Sequence, residues 1–305
     1  MQTAARAHPE QVAAREAAHR AELLRALGAA LLTPPPGSAG PCEALGLPVQ
    51  TGVEHTQVFV LSAPPHAAIH LGPEGQLGGE GLDRIGGFWR ALGLHAPEDA
   101  DHLGVLLLLY AELLQAEAGA GQERVRAQMR LARTALFHEH LWSWAPGYLA
   151  AVEGQQLASI SAWARLTGQA LQAELTELGP AAVLPLALRA ALPGLEPTDA
   201  FDETLDALVA PIRSGTVLTH RDLLACAGHA GVGLRRGERR YALRAMLLQD
   251  SHGTLAWLAG HAEHWSARHL AAVRTTNDAC AWWATRAART ARTLTALAAA
   301  AGPRE

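Results

Sequence analysis

Apolar positions recur along this chain at intervals of three and four residues, and no stretch alternates apolar and polar with period two. That pattern predicts helices throughout and no sheet. Residues Pro9 to Leu32 are rich in Ala, Leu, Glu and Arg and stop at Thr33-Pro34-Pro35-Pro36, where prolines cannot continue a helix. Gly37 to Gly52 reads as a loop. Val53 to Leu61 is a short apolar element, helix or strand, closed by Pro64-Pro65. Leu82 to Leu94 is predicted helical, with Ile85, Trp89 and Leu92 on one side. Leu103, Leu106, Leu107, Tyr110, Leu113 and Leu114 repeat at helical spacing while Val105, Leu108 and Leu109 fill the opposite face, so this helix should lie at the centre of the molecule. Further helices are predicted over 122–144, 154–178, 181–192 and 200–209. After Pro211, Thr219-His-Arg-Asp222 reads as a capping box, with Asp in place of Glu, opening a helix at 223–228. Three more helices follow near 239–248, 253–269 and 276–300. The expected fold class is all-α, a multi-helix bundle.

The segment His95 to Ala100 contains Pro97 and leads into an acidic run, Glu98, Asp99 and Asp101, making it the expected hinge between two lobes. The expected division is an N-terminal helical lobe at 1–95, hinge and core lobe at 96–178, and a C-terminal helical extension at 179–305. Glycines cluster at 72, 75, 78, 79 and 81, but without the preceding strand and following helix that a dinucleotide loop needs.

With 305 residues, 49% of them hydrophobic, the chain can bury a sizeable core as one large or two ordinary domains. Its net charge is −4 and every basic residue other than histidine is Arg, so bulk charge does not indicate a polyanion partner. Only Arg235 to Arg244 is locally basic. Cys42, Cys226 and Cys280 are far apart and form no CxxC pair, which argues against a disulfide framework or thiolate metal site and fits a reduced, cytoplasmic setting. The N-terminus lacks the order of a signal peptide. The longest apolar run, starting at Leu103, falls short of the roughly 20 residues that span a bilayer, so no membrane span is expected.

Asp101 stands where the N-cap of the central helix belongs, and capping alone accounts for it. The functional reading is that Glu98, Asp99 and Asp101, with His102, concentrate negative charge beside an apolar helix and so suit a basic, apolar peptide. Phe137, His140, Leu141 and Trp144 fall at i, i+3, i+4 and i+7, one stripe if the helix is continuous. His138 and His140 point apart on such a helix and are poor joint metal ligands. A di-metal reading of Glu16/His19 and Asp99/His102 fits badly, because Asp99 precedes the helix that carries His102. Residues 218–246 can be read as a helix-turn-helix, with Arg235, Arg236, Arg239, Arg240 and Arg244 on phosphates, giving a DNA-binding regulator as the competing function. No nucleophile elbow, catalytic triad order or P-loop is present, so no enzymatic activity, metal or cofactor of the chain's own is expected.

Four tracts together carry a resemblance: Val53-Glu-His-Thr-Gln-Val-Phe59; Pro64-Pro65 with Leu71-Gly-Pro-Glu-Gly75; Pro97-Glu-Asp-Ala-Asp-His-Leu103; and Phe137-x-x-His-Leu-x-x-Trp144. They resemble the TorD/DmsD family of cytoplasmic, all-helical chaperones for molybdenum oxidoreductases, over roughly residues 10 to 175. The resemblance implies a redox-enzyme maturation chaperone that binds the twin-arginine signal peptide and apo-form of a molybdopterin oxidoreductase, with the molybdopterin cofactor carried by the client. It places Asp101 and His102 at the family's Asp-His pair, with Glu98 in the same hinge motif and Asp99, His140 and Trp144 as further candidates for binding the client. Ala100 stands where the family commonly has Pro, and Leu106 and Leu108 replace acidic residues, implying a less rigid hinge and a less acidic groove. A flexible hinge also allows a homodimer formed by lobe exchange.

Overall fold

The computed structural model describes residues 9–198, 200–235, 237–273 and 278–302. Among them there is no strand, and the fold is all-α. Eleven longer helices carry it: α1 (Pro9–Leu32), α2 (Gly79–Ala91), α3 (Leu103–Gly119), α4 (Glu123–Ala135), α5 (Ala145–Glu153), α6 (Ala158–Leu178), α7 (Phe201–Val209), α8 (His220–Ala230), α9 (Arg239–Gln249), α10 (Ser251–Ala272) and α11 (Ala279–Ala301). None of the described helices is long and apolar enough to cross a membrane.

As its all-round apolar pattern predicts, α3 is central: Leu103, Leu106, Leu107, Tyr110, Ala111 and Leu114 are all buried. Its main partner is α1, which offers Ala17, Ala21, Leu24, Leu27 and Leu31 at helical spacing. The two backbones meet at a glycine pair. A Cβ on Gly28 would lie 2.8 Å from the Gly104 carbonyl oxygen, and one on Gly104 would lie 2.9 Å from the Gly28 oxygen. Both obstacles are backbone, which cannot rotate away. Gly28→Ala is therefore expected to cost about 1–3 kcal/mol through forced separation of α1 and α3. An unchanged urea midpoint for that variant would refute the close crossing.

One apolar cluster runs from α1 through α3, α5 and α6, and so takes in residues on both sides of the 96–102 connection. A second cluster is built from residues 195–298, chiefly α7 to α10. The C-terminal helices are tied to the first cluster through Trp283, whose indole donates to the Ser143 carbonyl at 2.8 Å, and through Trp142, which donates to Asp278 at 3.2 Å.

Several local expectations need correction. Residues 122–144 are not one helix. The α4 helix passes into a π-helical turn at Leu136–Leu141, and the chain then breaks so that Trp144 (φ −146°) can precede α5. Pro146 explains the restart, since proline fits a helix only in its first turn. Residues 154–157 therefore lie outside α6, which begins at Ala158. Within 181–192 only Leu186–Arg189 is helical, because Pro185 interrupts the run. The loop expected at 37–52 holds a short helix, Ala39–Ala44. Val53 to Leu61 is helical: Thr51 and Glu54 form a reciprocal capping box for Gly52–His55, which runs into a π-helix at Thr56–Ser62. The capping box expected at Thr219 and Asp222 is present.

Candidate functional site

The segment 97–102 makes a turn on the molecular surface, with Glu98 and Asp99 exposed, and then dives inward at Ala100 and Asp101, which are 1% and 2% exposed. Asp101 does not cap α3. Its carboxylate instead reaches a segment 33 residues earlier, accepting from the Ala68 N–H at 2.9 Å and pairing with His66 Nδ1 at 3.2 Å. The backbones are joined as well. The Ala67 N–H donates to the Asp101 carbonyl at 3.1 Å, and the Leu103 N–H donates to the Pro65 carbonyl at 2.7 Å. Asp101 thus caps, from outside, the short helix Ala67–Leu71 and fastens it to the start of α3. Burial pushes this carboxyl up, but the His66 and Ala68 hydrogen bonds outweigh it and hold the group below its ordinary value.

The cap of α3 is the next residue, His102, whose Nδ1 accepts from the Gly104 N–H at 3.1 Å. That role requires an unprotonated Nδ1. Burial, with His66 close by, lowers His102 to about 4, so the ring is neutral near pH 7. The rings of His66 and His102 meet edge to face at 5.0 Å.

Trp144 is 1% exposed and stacks on His70 at 4.9 Å, and its indole donates to the His140 carbonyl at 2.7 Å. His70 lies on the short helix that Asp101 caps, so the hinge and Trp144 are joined through Ala67–Leu71. The His140 ring packs at 5.1 Å from Phe88 on α2 and is held near 4 by burial and by Arg84. The structure therefore links Asp101, His102 and Trp144 through one packed unit but presents only Glu98, Asp99 and part of His102 to solvent. His66 and His70 complete that unit and escaped sequence reasoning. The Pro64-Pro65 turn ahead of them was the available signal.

The 52–62 helical tract exposes Val53, Val60 and Leu61, at 75%, 57% and 72%. Its inward side carries His55, close enough to His102 to depress that ring's basicity, and Phe59, which packs on Trp163 at 5.4 Å. Among the described residues no group of three His, Cys, Asp or Glu is arranged to hold a metal.

The arginine-rich segment is arranged differently from a helix-turn-helix. Eight residues, 231–238, separate α8 from α9, where that motif needs a turn of three or four. Arg239 donates to the backbone carbonyls of Leu218 and Gly75, both at 3.1 Å. Arg240 pairs with Asp206 and Asp202, and Arg244 pairs with Asp202. Three of the expected phosphate contacts are thus engaged within the chain, and Arg236 lies outside the described residues.

Residues 42–150 match the family model described as nitrate reductase delta subunit. That is a family of molybdoenzyme maturation chaperones, and the match bears out the TorD/DmsD resemblance over this segment. It takes in the 52–62 tract, the Pro64-Pro65 turn, the hinge, α3 and Trp144, and leaves the C-terminal helices outside. No curated protein and no solved structure matches the chain.

Proposed function

We propose, for a chain whose residues 42–150 carry a family of molybdoenzyme maturation chaperones, that its client contact is a twin-arginine leader laid across the hinge. The observation that carries this reading is the exposed pair Glu98 and Asp99 at the turn that precedes α3, together with the exposed Val53, Val60 and Leu61 on the tract that leads into the Pro64-Pro65 turn. A leader joins a pair of guanidinium groups to an apolar segment. Carboxylates on a solvent-facing turn accept guanidinium N–H groups in bidentate fashion, and exposed apolar side chains take the apolar segment. His102, being neutral, adds no repulsion toward the arginines. Asp101 acts as a positioning residue: its carboxylate is already filled by His66 and Ala68, and what it contributes is the shape of the turn. His140 and Trp144 support that unit from behind. The client is then a molybdopterin oxidoreductase precursor held in the cytoplasm, where its cofactor is inserted before export.

Calorimetric titration with a twin-arginine leader and with the same leader lacking both arginines tests this. Glu98→Gln with Asp99→Asn is expected to weaken leader binding at least tenfold without moving the melting temperature, because both side chains are exposed. Asp101→Ala with His102→Ala is expected to weaken it comparably while leaving helicity largely intact. Binding that ignores the leader arginines, or survives in the Glu98/Asp99 variant, would refute the assignment.

A further inference from the structure

The α9 helix has two apolar faces. Ala242, Leu243, Met246 and Leu247 are buried against the second core, whereas Tyr241, Ala245 and Leu248, at i, i+4 and i+7, form an outward stripe. One apolar stripe suffices to dock a surface helix, and among the described residues the second is left open to solvent at Tyr241 and Leu248. Leu248 is 71% exposed and Tyr241 47% exposed. Residues 233–235 stand beside this stripe and turn it into an open groove of about 570 Å³, walled by Leu234 and Arg235. The wall is pinned. Gln249 accepts from the Gly233 N–H through its amide oxygen and donates to the Gly233 carbonyl through its amide nitrogen, both at 2.9 Å.

The charged side chains that line this groove are positive, with one carboxylate, Asp202, paired to Arg244 at its rim. Arg235 and Arg244 line it, and no carboxylate does. Arg244 is held from outside by Asp202 at 2.6 Å and lies over the Phe201 ring at 5.5 Å, whereas Arg235, among the described residues, donates to the Tyr241 hydroxyl, at 2.9 Å. A duplex nucleic acid needs a row of free cations at phosphate spacing, and Arg239 and Arg240 are spent on Leu218, Gly75, Asp202 and Asp206. Leucine and tyrosine between two arginines suit a peptide instead.

We infer that the groove between residues 233–235 and the outer stripe of α9 docks an acidic amphipathic peptide segment, with its apolar side chains against Leu234, Tyr241 and Leu248 and a carboxylate on Arg235, since Arg244 is already paired with Asp202. The site lies outside the family-matched residues and takes a ligand of opposite charge to a twin-arginine leader, so it stands apart from the hinge. A chain with both sites holds two separate parts of a partner polypeptide.

The test is fluorescence anisotropy of the full chain with a labelled synthetic amphipathic peptide of leucine and glutamate, against glutamine-for-glutamate and serine-for-leucine versions and a short DNA duplex. Saturable binding of the leucine-glutamate peptide is expected, at least tenfold weaker for each altered peptide and for each of Arg235→Glu and Leu248→Glu. Both substituted side chains are exposed, so unchanged circular dichroism should accompany the loss. Three results would overturn the inference: no saturable binding, binding indifferent to both variants, or a preference for the duplex that Arg235→Glu abolishes and Leu248→Glu spares. The Glu98/Asp99 variant should bind this peptide normally, so failure of the hinge assignment and failure of the groove are read in separate titrations.

Discussion

Between about pH 6 and pH 4 the protein is expected to lose much of its stability, chiefly because His70, His140 and His269 are buried as neutral rings. His70, His140 and His269 are 3%, 6% and 4% exposed, and burial above all holds them near 3, 4 and 4. Arg239 and His66 reinforce this at His70, Arg84 at His140 and Arg268 at His269, while Asp101 opposes it at His70 and the Gly215 carbonyl at His269. In the unfolded chain each ring titrates near its ordinary value of about 6.5. As the pH falls the unfolded state therefore takes up protons first. The stability due to these rings is complete above about 6.5 and is lost as the pH drops toward their folded values. Each ring contributes a slope of at most about 1.4 kcal/mol per pH unit, so three together remove at most about 8 kcal/mol over two units, which is most of a stability near the lower end of the usual range of about 5–15 kcal/mol. Asp101 and Glu177, whose folded values are depressed, add their own loss chiefly below their ordinary values of 3.8 and 4.5, so the decline above pH 5 belongs to the histidines. Urea midpoints at pH 7, 6 and 5 check the prediction, and His140→Gln should flatten the decline. A midpoint constant from pH 7 to pH 5 would mean that these rings are reachable by protons in the folded state.

The parts of this fold that were legible in the sequence are those written in local spacing. The all-round apolar run of α3, the proline stop after α1 and the Thr219 capping box each depend on residues within a few turns of one another. The break at Trp142–Trp144 was hidden because its only signal, Pro146, follows it, and the π-helical turn at Leu136–Leu141 leaves the apolar pattern unbroken. At the hinge, the acidic residues were legible as a cluster but their roles were not. Asp101 and His102 are neighbours in sequence, yet one faces Ala68 and the other Gly104, and only the tertiary crossing of the Pro65–Ala68 segment decides which of them caps α3. Arg240 and Arg244 looked free because their partners Asp202 and Asp206 lie more than thirty residues away on α7. Charge read along a chain counts cations, and folding decides which of them remain available.

Arg133→Met is expected to cost about 3–5 kcal/mol, since removing one member of a buried ion network strands the others. Sequence places Arg133 in an unremarkable basic helix, but its side chain is 1% exposed. It donates from Nε to Glu117 at 2.7 Å, and from Nη1 to the Tyr110 hydroxyl and to Glu177, both at 2.8 Å, with Glu174 at 3.3 Å. Tyr110 in turn donates to Glu174 at 2.7 Å, and Arg20 of α1 approaches Glu174 from the other side at 3.5 Å. One guanidinium thus joins α3, α4 and α6, with α1 beside them. Glu174 is 2% exposed, and burial already raises its carboxyl above the ordinary value despite the two arginines. Without Arg133 that carboxyl must either ionise with only Arg20 beside it or hold a proton at neutral pH, and both are costly. The loss should therefore shrink when the stranded charge is also removed. Arg133→Met combined with Glu174→Gln is expected to recover a large part of the single-variant cost, since the amide oxygen still accepts from Tyr110. Urea unfolding of the two single variants and the double variant measures that coupling directly. A loss below about 1 kcal/mol for Arg133→Met, or strictly additive costs in the double variant, would show that the network contributes as an ordinary surface ion pair does.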